Sequence, residues 1–165
     1  MKKMYAEILG NHAVELIRRT SGLTPTGLAI SGQAEAPPEY ELAIRIDFNG
    51  ELADGSPISG YVLCGSPRFG QAYPLLASLA RHFGLSPHLA DSQRGSADIL
   101  SEFLNIIIGL TGADWSGHGF NMEFSTPQNL SGQTFAPFAA GERAFHIAIT
   151  TDGGPRVDLV AVFSG

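Results

Sequence analysis

The chain has 165 residues, of which 44% are apolar and 16% charged, with a formal net charge of −6. Its 10 Lys and Arg residues do not cluster, which argues against phosphate backbones and anionic membrane surfaces as partners, since both demand a basic footprint. Cys64 is the only cysteine, so neither an intramolecular disulfide nor a cysteine-built metal cage is possible.

The length predicts one domain over residues 1–165, with two small pseudo-repeated halves as the alternative. The N-terminus "MKKMYAEILGNHAVELIRR" starts basic but turns amphipathic where a signal peptide needs an apolar stretch. No uninterrupted apolar run approaches the ~20 residues of a membrane span. The expectation is a cytoplasmic protein with no membrane and no nucleic-acid partner.

Residues 4–20 read as a helix, with Met4, Ile8, Leu9, Val14, Leu16 and Ile17 at helical intervals and Gly22 beyond the end. "LTPTGLAISG" is short and extended, and "AEAPPE" is a loop. In "YELAIRIDF" Leu42, Ile44, Ile46 and Phe48 alternate as in a half-buried strand. Asn49-Gly50 is a strong hairpin signal, Asp54-Gly55 a second possible turn, and "ISGYVLCG" the returning strand. "AYPLLASLARHFG" predicts a helix with Pro74 in its first turn. After the connector "LSPHLADSQRG" comes the longest helix, over about residues 95–110. Residues 111–119, "TGADWSGHG", are expected to form a separate loop that sets Trp115 beside that helix. "GHGFNMEFS" contains a strand, "TPQNLSGQTFAPFAAGE" is loop-rich, and "RAFHIAITT" and "RVDLVAVFS" form a hairpin across Asp152-Gly153-Gly154. Strands in hairpins and helices in blocks predict an α+β fold, an antiparallel sheet with long helices packed on one face.

The longest helix carries the most specific signal. In "SADILSEFLNIIIGLTG" the apolar run is interrupted by Asp98, Glu102, Asn105 and Gly109. At 100° per residue these four fall within about 60° of one another. An ordinary surface helix also has a polar stripe. Asn and Gly are poor helix formers, however, and Gly109 costs about 1 kcal/mol against Ala. The combination suggests a groove floor that something approaches closely.

"D-I-L-S-E-F-L-N-I-I-I-G" resembles the active-site helix of the CheX/CheC/FliY family of chemotaxis phosphatases. The family pattern has Asp or Ser, Glu four on, Asn three further, and a Pro roughly twenty residues later. Asp98, Glu102, Asn105 and Pro127 match it. "IRIDFNGELADGSPISGYVLCG", "FSTPQNLSG" and "HIAITTDGGPRVDLVAVF" resemble the family's hairpin, strand-Pro-turn segment and closing hairpin, so the likeness covers most of the chain in order. In the N-terminal helix Glu7 and Asn11 stand four apart, so the motif is intact once. One motif resembles CheX, whose members work as homodimers joined through their sheets.

The resemblance implies a phosphatase for the aspartyl phosphate of a CheY-type response regulator. It implies no cofactor of the chain's own, because the regulator brings Mg²⁺ and a Lys. Asn105 would hold the attacking water, a role that suits a neutral amide, and Glu102 would pair with the regulator's Lys. Asp98, Gly109 and Pro127 would contribute to docking. The alternative is a noncatalytic adaptor or scaffold that binds a receiver domain through the same helix face.

Other constellations carry less. The five histidines show no His-x-x-x-His spacing, so no metal site is predicted. Cys64 reads as a buried structural thiol, Trp115 as packing, and His146 as an outward-facing residue of a strand. The glycines lack the Lys-Ser/Thr of a phosphate-binding loop.

Overall fold

The computed structural model describes residues 1–32 and 39–165; the loop expected at "AEAPPE" lies, but for Glu39, outside them. In chain order the elements are α1 (Lys2–Thr20), β1 (Pro25–Gly32), β2 (Leu42–Glu51), β3 (Pro57–Ser66), α2 (Tyr73–His82), α3 (Gln93–Gly117), β4 (Asn121–Phe124), β5 (Gln128–Asn129), β6 (Arg143–Thr151) and β7 (Arg156–Ser164). A short 3-10 turn, Pro87–Asp91, joins α2 to α3.

The strands form one sheet in the order β1-β6-β7-β3-β2-β4, with β5 also paired to β2. Every pairing is antiparallel. Helix α1 lies over β1, β6 and β7, α3 lies over β2 to β5, and α2 packs against both helices. The expected architecture is therefore observed, with the helices on one face. Strand alternation explains it: Leu42, Ile44, Ile46 and Phe48 of β2 and Val157, Leu159, Ala161 and Phe163 of β7 all enter the helix-side core.

The opposite face is not bare. Tyr40, Ala43, Leu63, Ala144, Val160 and Val162 form a second buried cluster, covered by Leu130, Phe135 and Phe138 of the long loop before β6. This is why "VDLVAV" in β7 reads as a nearly continuous apolar run: both of its faces are buried.

Asp158 interrupts that run and is fully buried. Its carboxylate accepts from Arg156 Nε at 2.6 Å and Nη2 at 2.9 Å and from the Tyr40 hydroxyl at 3.2 Å, and His146 Nε2 lies 3.0 Å away. His146 does face outward from the helices, but it is largely covered rather than free. Burial pushes the Asp158 carboxyl up, yet the hydrogen bonds from His146 and Arg156 outweigh it and hold it below the usual carboxylate range. A carboxyl lowered in the folded state contributes stability above its unfolded value of about 3.9, and that contribution is lost as pH falls through the folded value. Asp158→Asn is thus expected to cost about 2–3 kcal/mol near neutral pH. Chemical denaturation at pH 7 and pH 3 checks this: the gap between variant and wild type should shrink at the lower pH.

Asn49-Gly50 is not a turn. Strands β2 and β3 run through it, pairing Asn49 with Ser59 and Gly50 with Ile58. The reversal lies at residues 52–56, where Leu52 and Ser56 bond through their backbones and Gly55 adopts φ +80°. Gly50 is needed for a different reason: a Cβ there would collide with the Asn121 carbonyl of β4. The glycine signal is real, but it marks close strand approach.

The separate loop expected at 111–119 is also corrected, since residues through Gly117 continue α3. Leu104, Ile108, Thr111 and Trp115 recur at i+4, i+3 and i+4, so the buried arc carries on without a break. The helix starts where the Ser92 hydroxyl accepts from the Gly95 amide. By length and composition α3 is apolar enough to cross a membrane, but half of that stretch is buried inside the fold. Trp115 is fully buried beneath the helix. Its Nε1 donates to the Tyr5 carbonyl at 3.1 Å, and the rings of Tyr5, Phe48, Phe120, Phe124 and Phe163 surround it. Cys64 is buried in the same core, and burial first, then the nearby Asp158 charge, pushes its thiol well above its ordinary value. Such a thiol has no nucleophilic role at neutral pH.

Candidate functional site

The polar stripe of α3 is built by subtraction. Ile99, Leu100, Phe103, Leu104, Ile107 and Ile108 are buried against the sheet and the other helices. With that arc committed to the core, Asp98, Glu102, Asn105 and Gly109 are left facing solvent. Along the axis Glu102 stands about 6 Å from Asp98, and Asn105 a further 4.5 Å on. The helix is rigidly seated, so these positions are fixed in relation to one another even though the side chains extend into water.

None of the three polar side chains makes a hydrogen bond or ion pair among the described residues. Charged groups elsewhere are used differently: Asp114 lies 2.7 Å from His12 of α1, Glu15 holds Arg18 and Arg19, and on the far face of the sheet Arg45 holds Asp47. Two unpaired carboxylates and a free amide therefore line one exposed helix face. Arg94, one turn before Asp98, is exposed on the same side. This constellation can accept a cation, orient a water or dock a complementary surface. Among the described residues no group of His, Cys, Asp or Glu is arranged to hold a metal ion.

Gly109 has no internal reason to lack a side chain, since a Cβ there would meet nothing within 4 Å. The glycine with a packing role is Gly112, where a Cβ would stand 2.9 Å from the Phe124 ring. Pro127 lies off the helix. It is half-buried in the connection between β4 and β5, at the sheet edge that α3 covers. The structure thus brings Asp98, Glu102, Asn105 and Gly109 together on one helix face, and Pro127 follows in a segment between two strands that pack beside α3. Trp115, buried below α3, does not cover the stripe.

Two features escape a reading of the sequence. Leu110 falls in the apolar arc by type, yet it is 46% exposed. The Asp158 network joins Tyr40, His146 and Arg156 from three parts of the chain, and only the charged residue inside an apolar strand hints at it.

No protein-family model matches the chain, and no curated protein matches it in sequence. Solved structures do. A CheC-like superfamily protein from Shewanella sp. PV-4 superposes with a TM-score of 0.71 at 13% identity, over 98% of this chain and 97% of that one. The chemotaxis protein CheX from Vibrio vulnificus gives 0.70 at 13% identity, over 99% of both chains. A chain of the CheX–CheY–BeF3–Mg²⁺ complex from Borrelia burgdorferi gives 0.69 at 12% identity, over 98% of both. The chain has the CheC/CheX-like fold.

Proposed function

We propose that this chain docks on the phosphorylated receiver domain of a CheY-type response regulator and accelerates hydrolysis of its aspartyl phosphate. The observation that carries the reading is the exposed, unpartnered Asp98–Glu102–Asn105 stripe on the long helix of a CheC/CheX-like fold.

The chemistry asks little of the chain. An aspartyl phosphate is already reactive, and the receiver supplies Mg²⁺ and a Lys. The oxygen of a water attacks phosphorus while the bond to the aspartate oxygen breaks, giving free carboxylate and inorganic phosphate. The gain comes from placing that water in line with the leaving carboxylate. Asn105 fits the task because its amide can hold a water without repelling the phosphoryl oxygens. Glu102, about one turn away, is placed to pair with the receiver's Lys. Asp98, a further turn out, and Gly109, which leaves room for close approach, complete the docking face, with Pro127 at its margin. A homodimer joined through sheet edges belongs to the same proposal, and β1 is an edge strand of the described sheet.

One observation favours a second reading, a noncatalytic adaptor on the same face. No group among the described residues bonds the Asn105 amide to set its orientation, whereas enzymes usually lock such groups. Both readings require binding. Calorimetric titration of the full chain with a Mg²⁺-loaded receiver, with and without BeF3, should show association that depends on BeF3. The Asp98→Asn, Glu102→Gln double variant should lose it. Equal binding by wild type and double variant contradicts both readings.

A further inference from the structure

We infer that the apolar cavity between the start of α1, the β2–β3 turn and the end of α3 binds a small neutral aromatic molecule with one hydroxyl, held by the hydroxyl of Tyr5. The inference stands apart from the receiver reading. His118, just past α3, is thirteen residues beyond Asn105, about 20 Å along the axis, so a ligand here does not touch the stripe.

The cavity holds about 270 Å³. Met1, Met4 and Tyr5 line it from the N-terminal segment, Leu52 and Ala53 from the turn, and His118 from beyond α3. Its inner walls are fixed. A Cβ at Gly119 would stand 2.6 Å from the Ala53 Cβ, so the turn and the helix end are pressed together. The Tyr5 ring is backed by Phe120 and Trp115, with centroids at 4.5 and 5.7 Å. Met1 is 77% exposed and forms a pliable outer wall.

Tyr5 is the group that points to a ligand. It is 2% exposed, and a Phe would fill the same aromatic cluster without the cost of covering a hydroxyl. Among the described residues Thr111 Oγ1 is the one fully buried side-chain polar atom without a partner. The Tyr5 hydroxyl also bonds nothing there, so it is not sealed in protein and opens on the cavity that Tyr5 lines. Burial pushes its pKa up, so it keeps its proton as a donor. His118 supplies the complement. Its Nδ1–H donates to the Asp114 carbonyl at 2.8 Å, which leaves Nε2 of the neutral ring as an acceptor.

These features set the ligand class. An apolar cavity of about 150 Å³ takes up benzene, so one or two rings fit here. Methionine sulfur makes favourable contacts with aromatic rings. The lining holds Asp54 and neither Lys nor Arg, which disfavours an anion. One hydroxyl on the ligand can accept from Tyr5 and donate to Nε2 of His118, whereas a purely apolar ligand would leave both unpaired.

The probe is phenol, titrated into the full chain and followed by backbone and indole N–H chemical shifts. Trp115 is the only tryptophan, so its indole signal is unambiguous. Saturable shifts are expected at Met4, Tyr5, Ala53 and Trp115, with a Kd of about 1 mM or lower. Tyr5→Phe should weaken binding about fivefold and unfold at no lower temperature than wild type, because the hydroxyl bonds nothing in the free protein. His118→Ala, at an exposed position, should show a similar loss without touching the core. Benzoate, an anion of similar shape, should bind about tenfold more weakly than phenol or not at all. No saturation by phenol at about ten times that Kd overturns the inference. So does wild-type affinity in either folded variant, or benzoate binding as tightly as phenol.

Discussion

Asn105→Ala is expected to slow release of phosphate from a phosphorylated receiver by about 100-fold, the usual consequence of losing the group that positions a reactant. Binding to the BeF3-loaded receiver should stay within about twofold of wild type, since a water-holding amide contributes to the transition state more than to docking. The fold should be untouched: Asn105 is exposed and bonds nothing among the described residues, and Ala is the better helix former by about 0.5 kcal/mol. A more stable protein with intact binding and lost turnover is a combination that a purely structural role cannot produce. Parallel measurement of melting temperature, affinity and single-turnover release checks it.

Trp115→Ala is expected to be the most destabilising single change in the helix, at about 3–5 kcal/mol. Trp115 is fully buried, is surrounded by five aromatic rings and donates to the Tyr5 carbonyl. Its removal leaves a cavity between α1, α3 and the sheet and takes away a bond that ties α3 to α1. Trp115→Phe keeps most of the volume but not the N–H, and should fall between the two. Thermal and denaturant unfolding measure the loss. Receiver binding by the folded fraction should survive, because Trp115 lies below the helix and away from the stripe. Loss of binding at temperatures where the variant is fully folded would place Trp115 in the binding site itself.

What was legible in the sequence followed from periodicity. Leu42, Ile44, Ile46 and Phe48 alternate because one face of β2 meets the helices, and the two closing strands pair across Asp152-Gly153-Gly154 as their pattern predicts. The stripe of α3 was legible for the same reason, as the part of a helical repeat that the core does not claim. The failures share a cause: local signals whose meaning is set by distant contacts. Asn49-Gly50 has turn chemistry, but Gly50 is small because Asn121, some seventy residues later, passes over it. "TGADWSGHG" looks like a loop from its glycines, but Gly112 makes room for Phe124 and Trp115 extends the core, so the helix continues. Leu110 looks like core by type, and only the placement of α1 and the sheet shows that it misses them. The cover over the second sheet face, with Phe135 and Phe138, could not be read from a segment that has no periodicity.

The central claim is that the exposed stripe of α3 positions a water on a receiver's aspartyl phosphate. The most direct measurement is inorganic phosphate release from several CheY-type receivers, phosphorylated with a small-molecule donor in Mg²⁺, with and without the full chain at substoichiometric amounts. The account predicts that at least one receiver loses phosphate faster than its intrinsic rate, with many turnovers per chain. Intrinsic rates in every case, from receivers whose BeF3 forms the chain binds, would contradict it and leave the stripe as a docking surface alone.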